Sequence, residues 1–155
     1  MMDIAPPKSD AEWQQARELV QEYATSLNVD LSFQDLAHEL EHLATEYGPP
    51  SGEFLIAREG GLGLACVGLR KFDDTAGEMK RLYVRPAGRG RGLGRLLVES
   101  ILAKARELGY TRVLLDTLPS MTEARALYTS MGFTPTAPYR FNPVPGTAFL
   151  ELRLR

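Results

Sequence analysis

The sequence predicts an α/β fold: a mixed sheet of six to seven strands flanked by about four helices, in the order ααβββαβαββ. Three observations carry it. Apolar residues recur at helical spacing in the first fifty positions and again over 92–108, but run in short blocks bounded by turn residues between 54 and 84. A strand ending Leu82-Tyr83-Val84 passes through a glycine-rich stretch into a helix and then a further strand, the layout of a right-handed parallel crossover. The 155 residues, 44% hydrophobic and 25% charged, suit one globular domain spanning 1–155, and no run approaches the roughly 18 apolar residues of a membrane span.

Each element has its own signals. Ser9 or Asp10 can cap a first helix, on which Trp13, Ala16, Leu19, Val20, Tyr23 and Leu27 share a face. Ser32 and Asp35 resemble a capping box for a second, with the stripe Leu36, Leu40, Leu43, and Gly48-Pro49-Pro50 stops it. The runs 54–58, 62–70 and 76–84, separated by Gly60-Gly61 and Asp73-Asp74, read as an antiparallel meander. Leu93, Leu96, Leu97, Ile101, Leu102, Ala105 and Leu108 share one face of the helix that follows, which Gly109 terminates. A strand at 112–117, a helix at 121–131 and strands at 133–134 and 148–154 complete the chain, the last two separated by a proline-rich loop.

The formal net charge of −2 averages two unlike halves. Residues 1–50 hold ten acids against Lys8 and Arg17, a balance of −8, and the remainder holds sixteen bases against ten acids, +6. Six of those bases (Lys80, Arg81, Arg85, Arg89, Arg91, Arg95) fall within sixteen residues that contain no acid. A pI near 5.7, with no aromatic interleaved in the Arg-Gly segment, argues against a nucleic-acid partner. The N-terminus lacks the basic and apolar regions of a signal peptide. The single cysteine, Cys66, cannot form an internal disulfide, so a cytoplasmic location is expected. Cys66 lies in the apolar run LGLACVGL and reads as a buried structural thiol, not a nucleophile.

The segment 79–95, MKRLYVRPAGRGRGLGR, carries the chemistry. Glycines let a backbone approach a ligand closely, and the first amides of a helix have no intrahelical acceptor. With the helix dipole and the flanking arginines, this is an anion site suited to a pyrophosphate. A P-loop would need a Lys-Ser/Thr pair, which is missing. A dinucleotide G-x-G-x-x-G fails at its third glycine, where Leu93 or Arg95 stands, although Asp116 sits where the ribose-binding acid would. Arg89-x-x-Gly92-x-Gly94 after a strand ending Leu-Tyr-Val-Arg-Pro is the version that fits.

From residue 78 to 133 these motifs, followed by Ala-x-x-Leu-Tyr-x-x-x-Gly-Phe at 124–133, resemble the GNAT superfamily of N-acetyltransferases. The resemblance implies an acetyl-CoA-dependent enzyme moving an acetyl group to a primary amine of a small molecule or peptide, by direct attack in a ternary complex. It implies that Leu82, Tyr83 and Val84 pair with the pantetheine arm. It also implies that Arg89, Gly90, Arg91, Gly92, Leu93, Gly94 and Arg95 hold the pyrophosphate. Tyr128 would be the general acid for the departing thiolate, with a core aromatic as the alternative role. Glu78 or a water chain would be the base. Tyr139 and Asn142 would select the acceptor from the late loop. Met121 stands where relatives often carry an asparagine facing the pantetheine arm. A non-catalytic acyl-CoA or nucleotide-binding module is the alternative on the same fold. The acidic N-terminal helices are expected to flank the acceptor entrance and favour a cationic amine, and exposed strand edges leave room for a homodimer.

His38-Glu39-Leu40-Glu41-His42 spells H-E-x-x-H on a helix, a pattern that can hold zinc. The downstream Gly and His of a metzincin are replaced by Thr45 and Gly48, and the two histidines flank the apolar stripe among acids, as on a solvated face. No metal is expected.

Overall fold

Residues 2–28, 30 and 35–155 are described in a computed structural model of the chain. Its centre is a seven-stranded sheet made of β1 (Met2–Ala5), β2 (Glu53–Glu59), β3 (Leu62–Lys71), β4 (Ala76–Val84), β5 (Arg112–Thr117), β6 (Thr134–Pro135) and β7 (Ala148–Arg153). The spatial order is β1-β2-β3-β4-β5-β7-β6. Among the described residues only β4 and β5 pair in parallel and every other neighbour is antiparallel, which removes the doubly wound dinucleotide fold from consideration. Among the described residues five α-helices, α1 (Asp10–Ser26), α2 (Leu36–Glu41), α3 (Leu43–Glu46), α4 (Leu93–Glu107) and α5 (Thr122–Ser130), complete the mixed α/β architecture.

Two differences from the expected order have physical causes. β1 pairs with β2 from Met2↔Glu59 to Ala5↔Ile56, an edge strand whose four residues are too few to show a period before Pro6-Pro7. The second helix is two, because the backbone at His42 (φ −123°, ψ 29°) leaves helical geometry between α2 and α3. Ser32, the proposed cap, lies outside the described residues, and the Asp35 side chain makes no cap. Ser9 does cap α1, its Oγ accepting the Glu12 N–H at 3.2 Å.

The sheet is covered on both faces. Beneath α4 lies a core that includes Val67, Met79, Leu97, Ile101, Val113 and Leu115. Against α1 and α3 lies a second, with Leu19, Leu43, Tyr47, Phe54, Ile56 and Cys66. Cys66 is fully buried, and burial pushes its thiol pKa up, so it stays a neutral structural thiol. Gly68 is required where it stands: a Cβ there would lie 2.7 Å from the Tyr47 ring.

β4 decides where a ligand can enter. Its pairing with β5 runs only from Ala76↔Arg112 to Glu78↔Leu114, so the strands separate beyond that point. On its other side, Gly68↔Lys80 and Cys66↔Tyr83 leave Val67 alone opposite both Arg81 and Leu82, a β-bulge. The extra residue is Arg81, held at φ +63°. The bulge also changes facing. Glu78, Lys80 and Arg81 all meet the α1/α2 side, whereas Met79, Leu82 and Val84 pack toward α4.

Candidate active site

The separated strands open a cleft of about 680 Å³, within the usual range for a small-molecule site. One wall is the backbone of Leu82, Tyr83 and Val84; the other is the start of α5, from Ser120 to Ala124. The floor is the glycine segment, in which Gly90 (φ +78°) and Gly92 (φ +72°) adopt left-handed geometry with nothing within 4 Å of where a Cβ would point. Gly92 is the N-cap residue of α4 and has no capping side chain. The first intrahelical bond of α4 runs from the Leu96 N–H to the Gly92 carbonyl at 3.2 Å, so the amides of Leu93, Gly94 and Arg95 precede it. An exposed helix N-terminus floored by glycine fits a pyrophosphate.

Nine of the ten residues expected there line this cleft: Leu82, Tyr83, Val84, Arg89, Gly90, Gly92, Leu93, Gly94 and Arg95. Arg91 does not. Its guanidinium forms a two-pronged ion pair with Glu59 on β2, the turns at Gly90 and Gly92 on either side carrying it away from the cleft. Met121, the departure from the usual asparagine, lies where the cleft narrows and places its Sδ 3.4 Å from Thr117 Oγ1.

At its inner end the cleft shares Tyr23, Leu27, Leu82 and Met121 with a cavity of about 30 Å³, room for one or two water molecules. Tyr128, Lys80, Arg81, Asp116 and Asn142 line it. Tyr128 is 6% exposed, and burial, with Tyr23 and Asp116 adding to it, raises its pKa, so the phenol keeps its proton. Asn142 Nδ2 donates to Asp116 Oδ2 at 3.1 Å. Lys80 is buried, with Nζ 3.9 Å from Glu78 Oε2. Burial pushes the Lys80 pKa down to about 8, overcoming the opposite pull of Glu78.

Glu78, fully buried, is the hub of the wall behind this cavity. Oε1 accepts from Arg70 Nε at 3.2 Å and Arg140 Nη2 at 2.7 Å, and Oε2 accepts from the Tyr139 hydroxyl at 2.9 Å. Tyr139 is wedged edge-on between Phe72 and Phe149, its ring 5.0 and 5.5 Å from theirs. Tyr139 therefore orients Glu78, whereas Asn142 reaches the cavity itself.

Part of the acidity of the N-terminal half is drawn into ion pairs. Glu39 pairs with Arg81, Glu46 and Glu39 with Arg70, Glu22 with Arg85 and Glu12 with Arg58. Four of the ten acids of residues 1–50 are thus paired with arginines of β2, β3, β4 and the residue that follows β4. Glu39, expected on a solvated face, is only 2% exposed. Burial alone would raise its pKa, but the hydrogen bonds and charge of Arg81, helped by Lys80 and Arg70, hold it low. His38 and His42 lie on the other side of the helix, exposed and stacked at 4.2 Å. The motif's glutamate thus points away from its histidines, and among the described residues no group of three His, Cys, Asp or Glu is set to hold a metal ion.

The signals for Lys80, Arg81 and Glu39 were weak in the sequence, since each reads as an ordinary solvated charge, and burial identifies them. Asp116, half-buried, is marked by the cavity it lines. A strand edge left open where β4 parts from β5 runs into a glycine-floored helix N-terminus and ends at a small polar cavity. The chain belongs to the acetyltransferase (GNAT) family, whose model matches residues 13–133. It is 45% identical to an uncharacterised N-acetyltransferase of Schizosaccharomyces pombe over 88% of this chain and 85% of that one. An acetyltransferase of Streptococcus agalactiae has the same fold, with a TM-score of 0.81 at 24% identity over 99% of this chain and 98% of that one. So does a putative acetyltransferase of Salmonella typhimurium solved with acetyl-CoA, with a TM-score of 0.70 at 21% identity over 100% and 95%. Among the described residues, no helix is long and apolar enough to cross a membrane.

Proposed function

We propose that this acetyltransferase moves an acetyl group from acetyl-CoA to a primary amine of a small molecule or peptide, by direct attack in a ternary complex. The observation that carries the reading is the junction of the two spaces: an open strand edge and helix N-terminus suited to CoA lead to a small cavity lined by a protonated phenol and a buried amine.

The amides of 89–94, with Arg89 and Arg95, hold the pyrophosphate, and the edge of 82–84 pairs with the amides of the pantetheine arm. Acetyl-CoA, so held, supplies an activated carbonyl at the mouth of the cavity. The Leu82 N–H is the donor to the oxygen on which charge develops. Tyr128 gives its proton to the departing sulfur. Burial makes the phenol a weaker acid, but the same dry surroundings make a thiolate a stronger base.

An acceptor ammonium must lose a proton before it attacks. Glu78 already accepts from two guanidiniums and a phenol, and it serves to hold the acceptor wall. Lys80, with its value near 8, is the better-matched base. As the C–N bond forms and the C–S bond breaks, the nitrogen loses two protons. One passes through Lys80 to solvent, and the other replaces the proton that Tyr128 delivers to sulfur. Asp116, steadied by Asn142, attracts the cationic acceptor.

The test is a screen of amines, polyamines, amino acids and peptides for CoA release. Turnover on at least one primary amine, with the N-acetyl product identified by mass, supports the reading. CoA binding without turnover on any amine would leave the non-catalytic acyl-CoA module in its place.

A further inference from the structure

Glu39 is buried and charged, points away from the histidines of its own motif, and lies on a helix outside the cofactor cleft. We propose that Glu39 is a positioning residue for acyl transfer: acting through Arg81, it holds the β4 bulge in the conformation that aims the Leu82 N–H at the thioester oxygen. The inference rests on the function proposed above.

The geometry begins with the extra residue. Arg81 sits at φ +63°, a left-handed conformation that is unfavourable for any side chain with a Cβ and that turns the Arg81–Leu82 peptide out of the ordinary strand plane. Leu82 lines both the cleft and the cavity, so this peptide lies at their junction. The isolated backbone would relax toward extended geometry, and the surroundings must prevent it.

They do so through the side chain. Arg81 Nε and Nη2 meet Glu39 Oε2 and Oε1 at 2.8 and 2.9 Å, a bidentate pair with both partners 3% exposed or less. The guanidinium lies 5.9 Å from the centre of the Tyr23 ring, and Cys66 Sγ donates to the Arg81 carbonyl at 3.3 Å. A regular strand would turn Arg81 to the face of Met79, where the core beneath α4 offers a guanidinium only apolar neighbours such as Leu97 and Val113. The ion pair and the bulge therefore exist together: α2 supplies the anion that keeps Arg81 on the α1/α2 face, and Arg81 keeps the peptide turned.

Two variants and one spectrum test this. Glu39→Gln removes the clamp, and Glu39→Gln with Arg81→Gly removes both the buried charge and the cost of the left-handed residue, since glycine adopts this φ freely. The first readout is the shift of the Leu82 amide in 15N-labelled protein when acetyl-CoA replaces CoA. The second is kcat with the amine from the screen, measured beside the Kd for CoA. Glu39→Gln should lose the acetyl-dependent shift and about tenfold to a thousandfold in kcat, as when one oxyanion donor is removed, with Kd for CoA changed by no more than about threefold. The double variant should recover both the shift and most of kcat, and the acetyl-dependent Leu82 shift is the readout that a merely structural salt bridge would not move. If Glu39→Gln fails to fold, the double variant alone carries the test.

A folded double variant without the shift would overturn the proposal, as would a Glu39→Gln enzyme with wild-type kcat. Absence of the Leu82 shift in the wild type would overturn it even if amines were acetylated. A clear shift without acetylation of any amine would instead sink the proposed function and leave the positioning role standing.

Discussion

The glycine-floored cleft and the small cavity beside it share Tyr23, Leu27, Leu82 and Met121, yet they are built on opposite plans. The cleft is mostly main chain: a strand edge, glycines at positive φ and the first amides of α4, gathered largely from residues 82–95. The cavity and its wall are mostly side chains, delivered by α1, β3, β4, β5, α5 and the loop after β6. A site made of backbone tolerates many side chains, which is why a carrier common to a family can be held by a short motif. A site made of buried ion pairs depends on each partner, because removing one leaves an uncompensated charge. The first plan suits the shared carrier, and the second suits the acceptor particular to this chain.

Several substitutions would break or sharpen that contrast. The largest effect is expected inside the cavity: Tyr128→Phe should lower kcat by about 10²–10⁴, the span of general acid catalysis, with CoA affinity largely kept. Unchanged turnover on the acceptor would remove Tyr128 from the mechanism. In the cleft the pattern reverses. Gly92→Glu places a carboxylate at an anion site and a Cβ at φ +72°, and calorimetry should show CoA affinity falling at least about tenfold. Arg89→Ala should fall less, because it removes one exposed charge and leaves the amides in place.

Lys80 offers a pH test. Its native value of about 8 lies below the ordinary 10.5, so between these values the unfolded chain binds more protons and stability rises with pH. Lys80→Met should therefore raise Tm most at pH 8 and below, with the gain shrinking toward pH 10.5. The acid limb of kcat/KM, rising to a plateau above about pH 8 in the wild type, should disappear in the variant's residual activity. A limb that persists would assign the proton to another group. The smallest effect is expected at Arg91→Ala. It removes an exposed pair on the far side of the loop, and CoA affinity should stay within about twofold.

The same contrast separates what was legible in the sequence from what was not. The meander, the crossover helix and the glycine segment each announce themselves through local period and turn chemistry, and nine cleft residues could be named from them. Arg91 was misplaced because its neighbours in sequence share its chemistry, and only the turn geometry sends it to Glu59. β1 was hidden by its length, and the split of the second helix by one residue's dihedral angles. Glu39 and Lys80 carried no mark of burial, since a charged residue on an amphipathic element ordinarily faces water.

By itself the sequence determined the order of elements, their apolar faces and an anion site of glycine and helix amides, because all three arise from interactions among near neighbours in the chain. Only the tertiary structure decided that Glu12, Glu22, Glu39 and Glu46 pair with Arg58, Arg85, Arg81 and Arg70. It likewise decided that a single inserted residue, Arg81, turns β4 open onto the cavity. The reason is distance: Glu39 and Arg81 stand 42 residues apart, and a pairing across that span has no local signature until the sheet brings its ends together.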